Sequence, residues 1–547
     1  MASTDMATDM ATARTRRLHK DVPRLRRIAL VIVALGSAPG VSAIDYASSS
    51  PLGGAPSAGL ADAMASGPFR LEPSVGLGLT WSDNVRLTND GLRVSDWSAR
   101  VEPGVSLSGR SGATYGSLRA SVSANAYAKE DSLNRTNLNL LGAGTFDIYE
   151  KKLLIDASAS VSQERLSSLG APVSGVAYDP NNTTELRLLS LSPYARWQWR
   201  NNVVGELRYR ATWSDSSSGV LSNGLRQDVT FSVGNGAAPN PFGWLLSGSD
   251  AHNHYSGAND TNLSNARLYG IYAIDSTFKL RADVGYERND FGSAYTQEQH
   301  IYGVGFDWTP SSVTHVAGMT EQRFFGTGYN YEASWRGPRS AINVTFSRDV
   351  TTSSSTLGGA QLIGLLLSFA DSYSKTISDP SERLRRAAEV WIQRGLPAEI
   401  GASTTYVTES YYLEKRAQAS FALIGVRDSA GLSVNYSKRH RLVDPNLLAP
   451  GDELGQFDNV EDIGATLVIS HRLTPVSSLS ATLGGGRSNG QGLSGSVSST
   501  RRRDASLVAS TSFSASTVGS LSYRHQASSG VSEYDENSIA ATLGVRF

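Results

Sequence analysis

Charged side chains at every second position are the first chemistry this sequence offers. Glu206, Arg208 and Arg210 alternate with Leu207, Tyr209 and Ala211, and Lys279, Arg281, Asp283 and Glu287 alternate with Leu280, Ala282, Val284 and Tyr286. Successive side chains of an extended chain point to opposite faces, so each run separates a charged face from an apolar one. Both signs in close succession suit a polar lining along which a solute passes; they do not form an acid–base or nucleophile constellation. His252 and His254 share a face if their stretch is extended, but only Asp250 lies near them, which falls short of a metal-ligand set. No Gly-x-Ser-x-Gly elbow occurs. His471 and His525, near strand ends, leave a lipid hydrolase assembled from separate strands as the least favoured reading. No catalytic, cofactor-binding or metal-binding residue is assigned, no cofactor is expected, and the expected protein is not an enzyme.

The elements that position these charges are strands. The binary alternation recurs at Val229, Phe231 and Val233, and at Ile463, Ala465, Leu467 and Ile469; it ends the chain at Ile539, Ala541, Leu543, Val545 and Phe547. A terminal aromatic with apolar residues at every second position behind it, here Leu543, Val545 and Phe547, is the closing strand and assembly signal expected of an outer-membrane barrel. Counting hairpins back from Phe547 makes Ser514–Thr517, Leu473–Pro475, Arg427–Ser429, Trp308–Ser311, Ile274–Ser276, Arg200–Asn202 and Glu150–Lys152 short turns on one side. The opposite connections, such as Gln526–Asn537, Arg487–Arg503, Arg441–Glu461 and Glu164–Thr184, read as long polar loops. A rhythm of short inner turns and long outer loops is that of a transmembrane antiparallel β-barrel, of about 22 strands within a range of roughly 18–22, with both termini periplasmic. Trp199, Trp308 and Trp335 beside the short turns fit an aromatic girdle. Tyr406, Tyr411, Tyr412, Phe324, Phe325, Tyr329 and Tyr331 fall on the outer side, as the second girdle or, less favoured, as a sugar-stacking surface. Arg501, Arg502 and Arg503 are expected in an outer loop, solvated or against lipopolysaccharide.

Composition agrees with this class. The 547 residues carry 50 basic and 50 acidic side chains and no cysteine. The zero net charge gives no reason to expect a nucleic-acid partner, and disulfides and thiolate sites are excluded. Residues 1–43 have the form of a signal peptide, with Arg24, Arg26 and Arg27 before an apolar core Ile28–Leu35 and Val41-Ser42-Ala43 at the cleavage site. Residues 44–70 read as a flexible periplasmic tail, and residues 71–547 as the barrel. One connection, 351–411, is far longer than the rest. Asp379-Pro380-Ser381-Glu382 opens an amphipathic helix near 380–395, with Leu384 and Trp391 on one face and Gly395 as its cap. The apolar stretch Leu362–Phe369 precedes it. The insertion is expected as a lid, a plug or an external cap.

Several segments then occur in a telling order: Trp81-Ser82-Asp83-Asn84-Val85, Glu102-Pro103-Gly104-Val105, Leu191-Ser192-Pro193-Tyr194, Arg394-Gly395-Leu396-Pro397, Gly425-Val426-Arg427-Asp428-Ser429 and His471-Arg472-Leu473-Thr474-Pro475. Together they resemble the outer-membrane β-barrel proteins associated with exosortase and PEP-CTERM systems, over nearly the whole chain from about residue 71. The resemblance implies a location in the Gram-negative cell outer membrane and an association with exopolysaccharide export, without a defined activity. Two functions follow: a porin-like or gated conduit, or a structural anchor for surface matrix with a filled barrel. The expected partners are outer-membrane lipid and lipopolysaccharide, the barrel-assembly machinery, and exopolysaccharide or its export proteins.

Overall fold

A computed structural model describes residues 68–171, 179–199, 203–218, 223–235, 241–256, 260–291, 296–351, 408, 411–444, 448, 452–492 and 495–547. The leader, most of the tail, the expected helix near 380–395 and the apolar stretch 362–369 lie outside the described residues. The first eight strands are β1 (Arg70–Ser82), β2 (Asp96–Ser111), β3 (Thr114–Tyr127), β4 (Arg135–Tyr149), β5 (Leu153–Arg165), β6 (Thr183–Gln198), β7 (Val204–Ser216) and β8 (Gly224–Gly234). The next seven are β9 (Phe242–Tyr255), β10 (Thr261–Ala273), β11 (Phe278–Asp290), β12 (Gln297–Ser311), β13 (Thr314–Arg323), β14 (Gly326–Arg336) and β15 (Ser340–Thr351). After the long connection come β16 (Tyr412–Ile424), β17 (Asp428–Arg441), the short helix α1 (Glu453–Gln456), β18 (Phe457–Arg472), β19 (Ser477–Gly492), β20 (Val497–Ser512), β21 (Thr517–Gly530) and β22 (Tyr534–Arg546).

Each strand pairs antiparallel with its chain neighbours in one 22-stranded sheet. β22 then pairs with β1, from Ser74 opposite Arg546 to Ser82 opposite Ser538. Closure leaves no edge strand, so the backbone groups of the wall are satisfied without water, which is the condition for crossing a bilayer as strands. The alternation sorts the side chains. Leu207, Leu280, Val284, Tyr302, Val304, Leu521 and Leu543 stand exposed on the outside, Val304 at 69%. The opposite face carries buried Asp228, Arg267, Asp283, Glu287, Arg323, Arg439 and Asp462. A soluble protein would bury the first set and expose the second; this inversion is what a barrel in lipid requires. Trp199, Trp308 and Trp335 are exposed beside the short turns.

The short turns fall at the expected places, including 150–152, 274–277, 473–476 and 513–516. Between β4 and β5 the reversal is tight: Glu150 and Lys151 both take positive φ (45° and 58°), the geometry that a two-residue hairpin turn demands.

Two of the expected long loops are strands instead. β21 runs to Gly530 and β22 starts at Tyr534, and β19 and β20 reach Gly492 and Val497. Arg501, Arg502 and Arg503 therefore lie within β20, not in a loop. The hydrophobic alternation stops where the apolar band stops, but the backbone ladder continues, because pairing above the band needs hydrogen-bond partners and not apolar side chains. A short helix, α1, also occupies the β17–β18 connection, where only a polar loop was expected.

Candidate conduit lining and mouth bridge

On the inner face the charges form cross-strand networks. Arg208 on β7 donates to Asp156 on β5 at 2.6 Å and to Glu206 at 2.9 Å, while Arg196 on β6 holds the other oxygen of Glu206 at 2.7 Å. The Arg208 guanidinium lies over the Tyr194 ring, 3.8 Å from its centre. Arg210 and Arg226 share Asp228, at 3.9 and 2.6 Å. A second network joins β10 to β15. Arg267 takes both oxygens of Glu321, at 2.7 and 2.9 Å. Arg323 forks onto one oxygen of Glu287, at 2.8 and 2.7 Å, and reaches Asp349 at 3.2 Å. The other Glu287 oxygen accepts from the Phe324 backbone N–H. In a third network Arg439 joins Glu414 to Asp462, both at 3.1 Å.

Of the candidate lining residues, the structure thus brings Glu206, Arg208 and Arg210 into one network and Glu287 into another. Asp283 is buried beside that second network, and neither of its oxygens has a hydrogen-bond partner among the described residues. Arg281 is separate, pairing with Asp307 at 2.7 Å, and Lys279 lies further toward the short turns. Asp156 and Arg323, which pair with candidates, and Glu321, Asp349, Arg439 and Asp462, which complete the networks, carry no signal in the sequence that sets them apart. Single charges among polar residues look alike in sequence, and only strand pairing decides which of them meet.

At the long-connection end, side chains from distant walls meet across the barrel. Asp452 caps α1 by accepting from the Leu454 N–H, and its two oxygens take the Thr408 hydroxyl at 2.9 and 2.7 Å. Glu453, 2% exposed, accepts from the Ser167 hydroxyl at 2.8 Å and from the Ser168 N–H and hydroxyl at 3.0 and 2.9 Å. Ser167 and Ser168 belong to the β5–β6 connection, which β20 holds from the far side. Thr500 donates to the Leu169 carbonyl at 2.8 Å, and Arg502 donates to the Ser168 carbonyl. The connection is tightened locally by Asn182, which accepts from Ser167 N–H and donates to the Ala171 carbonyl. A Cβ at Gly170 would stand 2.2 Å from the Asn182 side chain, so the packing there demands glycine. Tyr411 extends the bridge to the opposite wall, its hydroxyl accepting from Asn253 at 2.6 Å and Arg226 at 3.2 Å. Its ring packs on Phe291, 5.6 Å away. Burial, and then the neighbouring Asp462 carboxylate, push the Glu453 carboxyl up to about 7, against the opposing pull of the Ser167 and Ser168 hydrogen bonds.

This corrects the reading of the outer aromatics. Tyr411 and Tyr412 are each 1% exposed and pack inward, because the bridge supplies polar partners for a hydroxyl and apolar partners for a ring at one place. Phe324 and Phe325 form the β13–β14 turn and pack partly buried against the same cluster. Only Tyr331 of this group is among the exposed large side chains; Tyr406 lies outside the described residues. His252 and His254 do share a face, and both lie near Asp260, at 3.7 and 2.6 Å. No group of three metal-ligating side chains occurs among the described residues. His471 pairs with Asp428 at 2.7 Å in the open, at the short-turn end. The closing strand pairs on both sides, Leu543 with Leu77 and Gly519, and Val545 with Val75 and Thr517.

A closed antiparallel barrel with an apolar outside, a charged inside and a hydrogen-bonded bridge over one mouth defines an outer-membrane, conduit-like barrel. No family model matches the chain, and no curated protein sequence matches it either. Among solved structures it is similar to the siderophore receptor PirA from Pseudomonas aeruginosa, with a TM-score of 0.43 and 9% identity over 87% of this chain and 80% of that one. It is also similar to the FrpB iron transporter from Neisseria meningitidis, with a TM-score of 0.46 and 10% identity over 87% and 81%. Likeness at this level carries nothing about ligand or activity.

Proposed function

We propose that the protein is a gated conduit of the outer membrane, with both termini in the periplasm, that serves an exopolysaccharide system of the exosortase/PEP-CTERM kind. The bridge carries the gating part of this reading. Among the described residues it closes a chord between distant walls through hydrogen bonds to one buried, titratable carboxyl, Glu453, so a change in the protonation of that carboxyl can loosen it. The charged networks support polar cargo, because a lining of paired ions presents donors and acceptors of both signs. The ordered segments from Trp81 to Pro475 support the polysaccharide association. The role is that of a passage and not of an enzyme; the Leu543, Val545 and Phe547 pattern supports delivery by the barrel-assembly machinery.

The test is single-channel conductance of the refolded chain in planar bilayers, comparing the wild type with Ser167→Ala/Ser168→Ala/Tyr411→Phe. The expected result is more frequent or larger conductance steps in the triple variant. A barrel that inserts and shows no step in either form refutes the conduit and leaves the filled-barrel anchor. Loss of secreted polysaccharide on deletion of the gene tests the association; unchanged secretion refutes it.

A further inference from the structure

The outer face of β15–β17 carries a row of like charges. Arg348 stands directly opposite Lys415, and Lys415 directly opposite Lys438. Like charges directly opposite across a sheet repel, and the carboxylate that continues the row, Glu461, stands opposite Lys438 and leaves Arg348 and Lys415 with no carboxylate opposite them. Lys415 and Lys438 have no ion-pair or hydrogen-bond partner among the described residues. Arg348 donates only to the backbone carbonyls of Phe325 and Thr327, which hold its guanidinium in place without cancelling its charge. One strand pair further, Arg487 stands opposite Arg501, with Arg503 two residues along the same face. Two carboxylates lie near: Glu461, opposite Lys438, and Asp458, which is engaged by Arg441 at 3.3 Å and lies 3.7 Å from His440. Elsewhere on the outer face the bases are paired, Arg288 with Glu298 and His254 with Asp260.

The charged row also has a shape and a height. Arg348, Leu413, Lys415, Lys438, His440 and Asn459 line a cleft of about 310 Å³, at the lower end of small-molecule sites. The adjacent row toward the short turns is Phe346, Ala417, Tyr436 and Ile463, so the basic row lies one step, roughly 6.6 Å along the strand, from an apolar row, with Val350 and Leu413 on its other side. We propose that this cleft binds the phosphate-bearing headgroup of an outer-leaflet glycolipid, with its acyl chains on Phe346, Ala417 and Ile463. The like-charged row is then the cost of a site completed by a lipid anion, and the apolar row beside it selects a headgroup with its acyl chains over a free solute.

This inference rests on the outer-membrane reading, which heat-modifiable gel migration of the refolded chain tests separately. Native mass spectrometry of the full refolded barrel in detergent, with bis-phosphorylated lipid A added, reads the site. Lys415→Ala/Lys438→Ala should weaken lipid A retention by about tenfold or more, the scale of losing hydrogen bonds to a charged group. Arg288→Ala should leave it unchanged. On the wild type, dephosphorylated lipid A should be retained more weakly by a similar factor, a comparison that needs no variant to fold. Equal retention of the two lipids by the wild type overturns the proposal, as does equal retention by wild type and the double variant. Displacement of lipid A by millimolar inorganic phosphate also overturns it, since that result makes the cleft a small-anion site.

Discussion

Glu453→Gln is the sharpest perturbation of the bridge. In the folded protein the carboxyl titrates near 7, against 4.5 for the ordinary group, because it is buried beside Asp462. A carboxyl whose folded pKa is raised binds its proton more tightly when the bridge is closed than when it is open. The closed bridge is therefore most stable below about pH 4.5 and loses stability as pH rises toward 7, after which the loss is complete. A difference of about 2.5 pKa units at 1.36 kcal/mol each gives a total on the order of 3 kcal/mol, or roughly three-hundredfold in the open population over the full titration. Hydrogen exchange of the amides in 166–171 and 453–456, corrected for intrinsic rates, measures that population. Between pH 5 and pH 8.5 wild-type protection should fall by up to about two orders of magnitude. Gln keeps the shape and an oxygen to accept from Ser167 and Ser168, and has nothing to titrate, so the variant should be flat across this range. Equal slopes in the two proteins, or a wild type better protected at high pH, would refute the reasoning.

Two other outcomes follow from the wall. Arg323→Met leaves Glu287 and Asp349 without their shared partner, and should cost about 3–5 kcal/mol in the urea midpoint of folding into vesicles; a change under about 1 kcal/mol means that water already solvates this network. Val304, in the middle of β12 and 69% exposed, should face the centre of the bilayer. Val304→Arg should then cost about 2–4 kcal/mol in the same assay, and Val304→Leu almost nothing; a neutral Arg variant would remove the lipid from that face.

The sequence by itself determined the faces of the wall and the rhythm of its turns. A strand has a side-chain period of two, so Glu206, Arg208 and Arg210 had to lie opposite Leu207 and Tyr209 whatever the neighbouring strands did. The short turns and the closing strand that ends at Phe547 follow from the same local rule, applied repeatedly, and the even count from placing both ends of the chain on one side. Only the tertiary structure decided which charges meet. Arg208 finds Asp156 across two strand boundaries, and Arg323 finds Glu287 and Asp349 from three different hairpins; no spacing in the chain encodes these distances. The bridge was equally invisible. Ser167, Ser168, Thr408, Asp452 and Glu453 are ordinary loop residues until closure of the barrel brings their connections over one mouth, and burial there, not residue type, turns Glu453 into a group that titrates near neutrality. The reach of β19–β22 above the apolar band was hidden for a related reason: hydrophobic alternation reports the lipid, while the backbone ladder continues past it. Arg502 points inward and Arg501 and Arg503 outward because those three arginines sit in a strand, where direction alternates with every residue.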